Sequence, residues 1–208
     1  MTPFVASVVP HRCGKDMLRL MGEAHEHGDF KRVRSPFEGA LVRLRAVEED
    51  DFPKINEGIW DPEVSQYLLL PWPEPLAGTR EWWERSRSSD RDAAFAIETL
   101  VGEFVGCCGL HQISSRSRSA ILGIWLARLH WEKGFGTDAV RTLCRFAFQE
   151  MNLGRVELGV LETNPRGVRA YEKIGFKEEG RLRRFMFVDG HYVDMIVMGL
   201  LAEDLIED

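Results

Sequence analysis

The sequence predicts an α+β fold, a single mixed, strongly twisted β-sheet flanked by helices on both faces. Three observations lead there. Apolar runs at 93–98, 103–113 and 120–126 are separated only by a turn at Val101-Gly102 and a polar tip at 114–119, which makes an antiparallel meander. A helical period then separates the run ending at Leu126 from the next one, 155–161, and a strand–helix–strand connection of that length makes parallel neighbours. Near the end, Asp189-Gly190 is a favoured hairpin pair joining strands at 176–188 and 191–200.

Residues 1–38 read as an N-terminal extension, disordered or partly helical around 16–25, because prolines and glycines punctuate them and no period persists. The ordered domain is expected over 39–208. It begins with a strand at 40–45, where Val42 and Leu44 alternate with Leu41, Arg43 and Arg45. Acidic residues at 48–51 favour a helix start, running to about Gly58. Asp61-Pro62 is an N-cap followed by a proline at the first helical position, and prolines 71, 73 and 75 end that helix. Thr79 opens another, carrying Trp82 and Trp83 to about Ser86. In the helix expected over 137–151, Val140, Leu143, Cys144, Ala147 and Met151 share one apolar face. Asn164-Pro165 caps a last helix through Lys173, with Gly175 just beyond it.

The bulk numbers narrow the function. With 208 residues the chain has room for one well-buried core and too little for two ordinary domains. A net charge of −6 argues against a protein that grips nucleic acid through its phosphates, and no run approaches the ~18 apolar residues of a membrane span. Cys13, Cys107, Cys108 and Cys144 show no metal-ligand spacing, so they read as reduced thiols of a cytoplasmic protein without a metal.

The stretch from Leu126 to Ala139 carries the chemistry. A strand is followed by a polar loop, then Gly134-Phe-Gly136, then a helix. Two glycines at such a junction let several N–H groups converge at a helix N-terminus, where the macrodipole favours an anion such as phosphate. The same letters satisfy a dinucleotide-binding Gly-x-Gly-x-x-Ala pattern ending at Ala139, with Glu157 as a ribose acid. That rival wants its first glycine close to the strand, whereas about seven residues separate Leu126 from Gly134.

Set beside Asn164-Pro-Arg-Gly-Val-Arg-Ala-Tyr-Glu-Lys-Ile-Gly-Phe176, the glycine loop resembles that of the GNAT superfamily of acyl-CoA N-acyltransferases. The branch it most resembles contains ribosomal-protein N-terminal and spermidine N-acetyltransferases. Trp131-Glu-Lys-Gly-Phe-Gly136 matches the family's phosphate loop, with Trp131 where Gln or Arg is usual. The segments Asp61-Pro-Glu-Val and Asp189-Gly-His-Tyr-Val-Asp194 also fit, and the resemblance spans roughly 40–202.

That resemblance implies acetyl-CoA as co-substrate and no metal. The loop residues Trp131, Glu132, Lys133, Gly134, Phe135, Gly136 and Thr137 would hold the pyrophosphate, the amides of 133–137 foremost. The strand end Ile124-Trp125-Leu126 would splay from its parallel neighbour and pair with pantetheine, an N–H near Leu126 stabilising the oxyanion. Asn164 would cap its helix and touch the pantetheine or acetyl end, and Tyr171 would protonate the departing thiolate. Many relatives carry a glutamate base where this chain has Ile121, which leaves Glu98, His111, Glu157 or a water chain. Trp60, Tyr67 and Trp72 would form a wall of the acceptor pocket.

The expected activity is direct attack of a primary amine on acetyl-CoA. The acceptor is first a protein or peptide N-terminus and second a small amine such as a polyamine or aminoglycoside. A non-catalytic CoA sensor is the alternative of another class, motivated by Ile121. No nucleic-acid or membrane partner is expected, and the chain would be a monomer or homodimer.

Overall fold

The computed structural model describes residues 35–70 and 72–207. The helix expected around 16–25 and Cys13 lie outside them. Among the described residues seven strands form one sheet: β1 (Val42–Arg45), β2 (Ala93–Thr99), β3 (Phe104–Ser114), β4 (Ser119–Leu126), β5 (Arg155–Leu161), β6 (Lys177–Val188) and β7 (His191–Leu201). Their order is β1-β2-β3-β4-β5-β7-β6, every pairing antiparallel except β4 with β5. The sheet is therefore mixed, as the single strand–helix–strand connection requires.

Helices cover both faces, and strand alternation decides which side chains meet them. On one face, Ala139, Val140, Leu143, Cys144 and Ala147 of α4 (Phe135–Gln149) pack with Val42, Leu44, Cys108 and Leu122, all buried. On the other, Phe52 and Ile55 of α1 (Phe52–Ile59) meet Ala96, Phe104 and Cys107, with Trp83 of α3 (Leu76–Ser88) and Trp125 packed alongside. Cys107 and Cys108 thus enter different cores, as neighbours on a strand must.

Several boundaries differ from expectation. Phe37, placed in the extension by the sequence, packs tilted against Phe95 and Phe146 with ring centres 5.7 and 4.7 Å away, so it belongs to the unit from Ser35 onward that holds the sheet. The helix capped by Asp61, α2 (Pro62–Ser65), is only four residues long, although its Asp61 cap on the Glu63 N–H forms at 2.8 Å. The helix α4 starts at Phe135 rather than Thr137, which puts Phe135 and Gly136 in its first turn.

Candidate active site

The ladder between β4 and β5 pairs only Ser119 with Arg155, Ala120 with Val156 and Ile121 with Glu157. Beyond Ile121 the strands part. The Arg118 carbonyl accepts from Gly154 and Arg155 on the β5 side, whereas the Ala127 N–H donates to Val105 of β3. Alternation between those two ends turns the backbone groups of Leu122, Ile124 and Leu126 toward the opening, and those of Trp125 toward its partner Cys107. Leu126 therefore offers an N–H there, as expected, while Trp125 contributes its indole to the α1 face instead. At this mouth the Trp131 indole donates to the Leu126 carbonyl at 2.9 Å. The guanidinium of Arg166 lies 3.6 Å from its ring centre and that of Arg128 4.9 Å.

Two turns of loop beyond β4 bring the chain back to the same opening. Glu132 and Gly134 both take left-handed backbone, with φ of 62° and 82°, and the first α4 hydrogen bond runs from the Asp138 N–H to the Gly134 carbonyl. No side chain caps this N-terminus. The amides of the first turn thus keep the free donors and positive dipole end that suit an anion. Gly136 packs so closely on β4 that a Cβ there would sit 3.2 Å from the Leu126 side chain. The one carboxylate of the first turn, Asp138, is withdrawn from the site. It is buried and accepts from the N–H groups of Ala40, Leu41 and Val42 at 3.0, 2.8 and 3.0 Å. Lys133 is exposed on the loop, and Thr137 is half-buried.

On the α1 face of the same strand lies a cavity of about 410 Å³. Trp60, Trp72, Trp82 and Trp125 line it, with Glu74, Arg85, His111 and the thiols of Cys107 and Cys108 as its charged or titratable groups. Trp60 and Trp72, two of the three aromatics to which the family resemblance points, are among its lining residues. Tyr67 does not line this cavity; its ring lies 6.4 Å from Trp131.

Across the opening, α5 (Pro165–Glu172) begins with Asn164, whose side-chain oxygen accepts from the Gly167 N–H at 3.0 Å. Tyr171 lies two turns along, half-buried and 5.8 Å from the Phe176 ring, and burial pushes its hydroxyl up to about 12. It stays protonated across the physiological range.

Of the base candidates, Glu98 is committed elsewhere. Burial would raise its carboxyl, but Arg43 at 2.6 Å and Arg45 at 3.0 Å outweigh it and hold it low. Glu157 pairs with Arg155 at 3.0 Å and does not line the cavity. His111 does line it, and its Nδ1 lies 3.1 Å from Asp92 Oδ1. Asp92 and Trp82 carry no motif in the sequence; only the turn between α3 and β2 and the packing of α3 bring them here. Among the described residues no group of ligands suits a metal, and no helix is long and apolar enough to cross a membrane.

Residues 42–177 match the family model described as an acetyltransferase (GNAT) domain. The chain belongs to the GNAT acetyltransferases. It is 34% identical over 170 residues to the Bacillus subtilis N-acetyltransferase YdaF, provisionally described as ribosomal, covering 78% of this chain and 92% of that one. It is 28% identical over 160 residues to the spermidine N(1)-acetyltransferase of Vibrio cholerae, covering 77% and 92%. The crystal structure of spermidine N-acetyltransferase from Vibrio cholerae, solved with CoA and spermine, superposes with a TM-score of 0.74 at 28% identity, covering 78% and 96%. As a GNAT acetyltransferase the chain uses acetyl-CoA, and its splayed strands and uncapped helix fit that donor.

Proposed function

We propose that this chain moves the acetyl group of acetyl-CoA onto the primary amine of a small molecule. The observation that carries the reading is the tryptophan-lined cavity against β4, beside the opening where β4 leaves β5. Its ~410 Å³ suits a small ligand. Indole faces attract an ammonium, and Glu74 adds the opposite charge. The spermidine acetyltransferases among the relatives support a small acceptor over the peptide N-terminus that the sequence first suggested.

In this reading the amides from Lys133 to Thr137 hold the pyrophosphate, and pantetheine lies against Ile124 and Leu126. The Leu126 N–H faces the thioester oxygen as negative charge grows on it. Asn164 keeps its cap and presents its free amide N–H toward the arm. Tyr171 protonates the thiolate. Cys107 and Cys108 also line the cavity, but burial raises both thiols far above the range in which a thiolate forms. Direct attack by the amine is thereby favoured over an acyl-cysteine intermediate.

The test is release of free CoA thiol with spermidine, an aromatic monoamine, an aminoglycoside and short peptides, using wild type and Trp82→Ala. Turnover of a small amine, with at least a tenfold higher KM in the variant, supports the reading. Turnover of the peptides alone, or of nothing, defeats it.

A further inference from the structure

We infer that His111, oriented by Asp92, is the general base that strips the acceptor ammonium of a proton before attack. The inference rests on the acetyl-transfer reading above and adds the residue which that reading lacks.

The strand β3 delivers His111 to the cavity face. In the antiparallel register His111 is opposite Ile121, Gly109 opposite Gly123 and Cys107 opposite Trp125, and these pairs share one face of the sheet. The imidazole reaches along that face over the glycine pair. A Cβ built at Gly109 or at Gly123 would lie 3.3 Å from Nε2. Two positions without side chains therefore leave the ring room to point from the rim of the sheet toward Trp125, where β4 opens. Immediately after His111 the β3–β4 register shifts, and Gln112 takes left-handed backbone with φ of 51°. Irregularities of this kind re-aim side chains and are frequent beside active sites.

The other ring nitrogen is tied down. Asp92 Oδ1 lies 3.1 Å from Nδ1, and Asp92 Oδ2 accepts from the Ser89 hydroxyl at 2.6 Å. The Ser89 hydroxyl first, against partial burial, and then the His111 ring hold the Asp92 carboxyl below the usual range. A carboxylate there fixes the proton on Nδ1 and leaves Nε2 as the acceptor, the state a base requires. The ring remains accessible, its side chain 38% exposed. Its charged surroundings are Asp92 behind it, with Glu74 and Arg85 on the cavity wall from the loop before α3 and from α3 itself.

The protons balance. Nε2 takes one from R–NH3+ and passes it to solvent. The amine nitrogen bonds to the thioester carbon, the C–S bond breaks, and the thiolate takes the Tyr171 proton. The second nitrogen proton is lost as the amide forms and restores the Tyr171 hydroxyl through solvent.

The experiment is the pH dependence of kcat/KM for a small-amine substrate with wild type, His111→Gln and Asp92→Asn, alongside acetyl-CoA affinity by calorimetry. Wild type is expected to reach a plateau below the amine's own pKa. His111→Gln, which can still bond Asp92, is expected to lose about 10²-fold at neutral pH. Its rate should climb with unit slope toward the amine's own pKa, with acetyl-CoA affinity unchanged. Asp92→Asn should show a smaller loss of the same kind. A His111→Gln variant with wild-type rate and profile overturns the proposal alone, whereas wild type without turnover removes the acetyl-transfer reading and the proposal with it. The wild-type profile needs no variant, and unit slope throughout would also overturn it.

Discussion

In the proposed mechanism Tyr171 carries the leaving-group step, and its burial defines what its loss should do. A hydroxyl pushed up to about 12 is a neutral O–H at neutral pH, so its proton is in place to pass to the departing sulfur while the proton leaving the new amide nitrogen replaces it. Tyr171→Phe keeps the ring beside Phe176 and removes only the proton. The expected outcome is a fall in kcat of roughly 10²-fold with the dissociation constant of acetyl-CoA unchanged, read by steady-state kinetics and calorimetry. Asp138 is the opposite case, a carboxylate whose work is structural. It holds three amides at the entry to β1, and Asp138→Ala strands them, Val42's in a buried setting. A loss of about 3 kcal/mol is expected from denaturant midpoints. Nothing in the linear sequence distinguishes Asp138 from an ordinary acidic residue in a helix's first turn, because its partners lie almost a hundred positions away.

At the scale of elements, the β4–loop–α4 unit assembles the proposed donor site. Its glycines were legible because a left-handed turn and a close approach to Leu126 leave a local trace in sequence. Gly134→Val places a β-branched residue at φ 82° with Leu41 nearby, and weaker acetyl-CoA binding is expected by calorimetry, tenfold or more, through loss of the amide geometry. The same locality explains which elements the sequence located well: β5 has the bounds that its apolar run indicates, and the Asn164 cap forms as its motif requires. The acceptor side was poorly legible. Its wall comes from α1, the residues 68–70, 72 and 74 before α3, α3 itself and the three strands β2, β3 and β4, and the residues that meet there have no fixed spacing. The helix after Asp61 ended early for a related reason. Leu68, Leu69 and Leu70 line the cavity instead of continuing a helical stripe.

The unit from Ser35 onward is a sheet with two cores, and one ion network ties β1 to the start of α1. Arg45 bonds Asp51 at 2.7 and 2.9 Å and Glu98 at 3.0 Å. Burial alone would raise the Asp51 carboxyl, yet the Arg45 guanidinium and the Glu48 amide outweigh it and hold it low. Glu98 is depressed in the same way. Carboxyls lowered by folding stabilise above their unfolded pKa values, near pH 4, and that stability drains away as pH falls through the folded values. Melting temperature should therefore decline below about pH 4 more steeply in wild type than in Asp51→Asn, which lacks one of these depressed carboxyls. In the proposed reading the donor and acceptor sites share β4, one at its open edge and one on its face, and burial keeps the Cys107 and Cys108 thiols protonated beside them. The measurement that tests this most directly is the initial-rate pattern with acetyl-CoA varied at several fixed concentrations of a small amine. Direct transfer predicts intersecting reciprocal plots, whereas parallel plots, the mark of an acetylated enzyme, would contradict it.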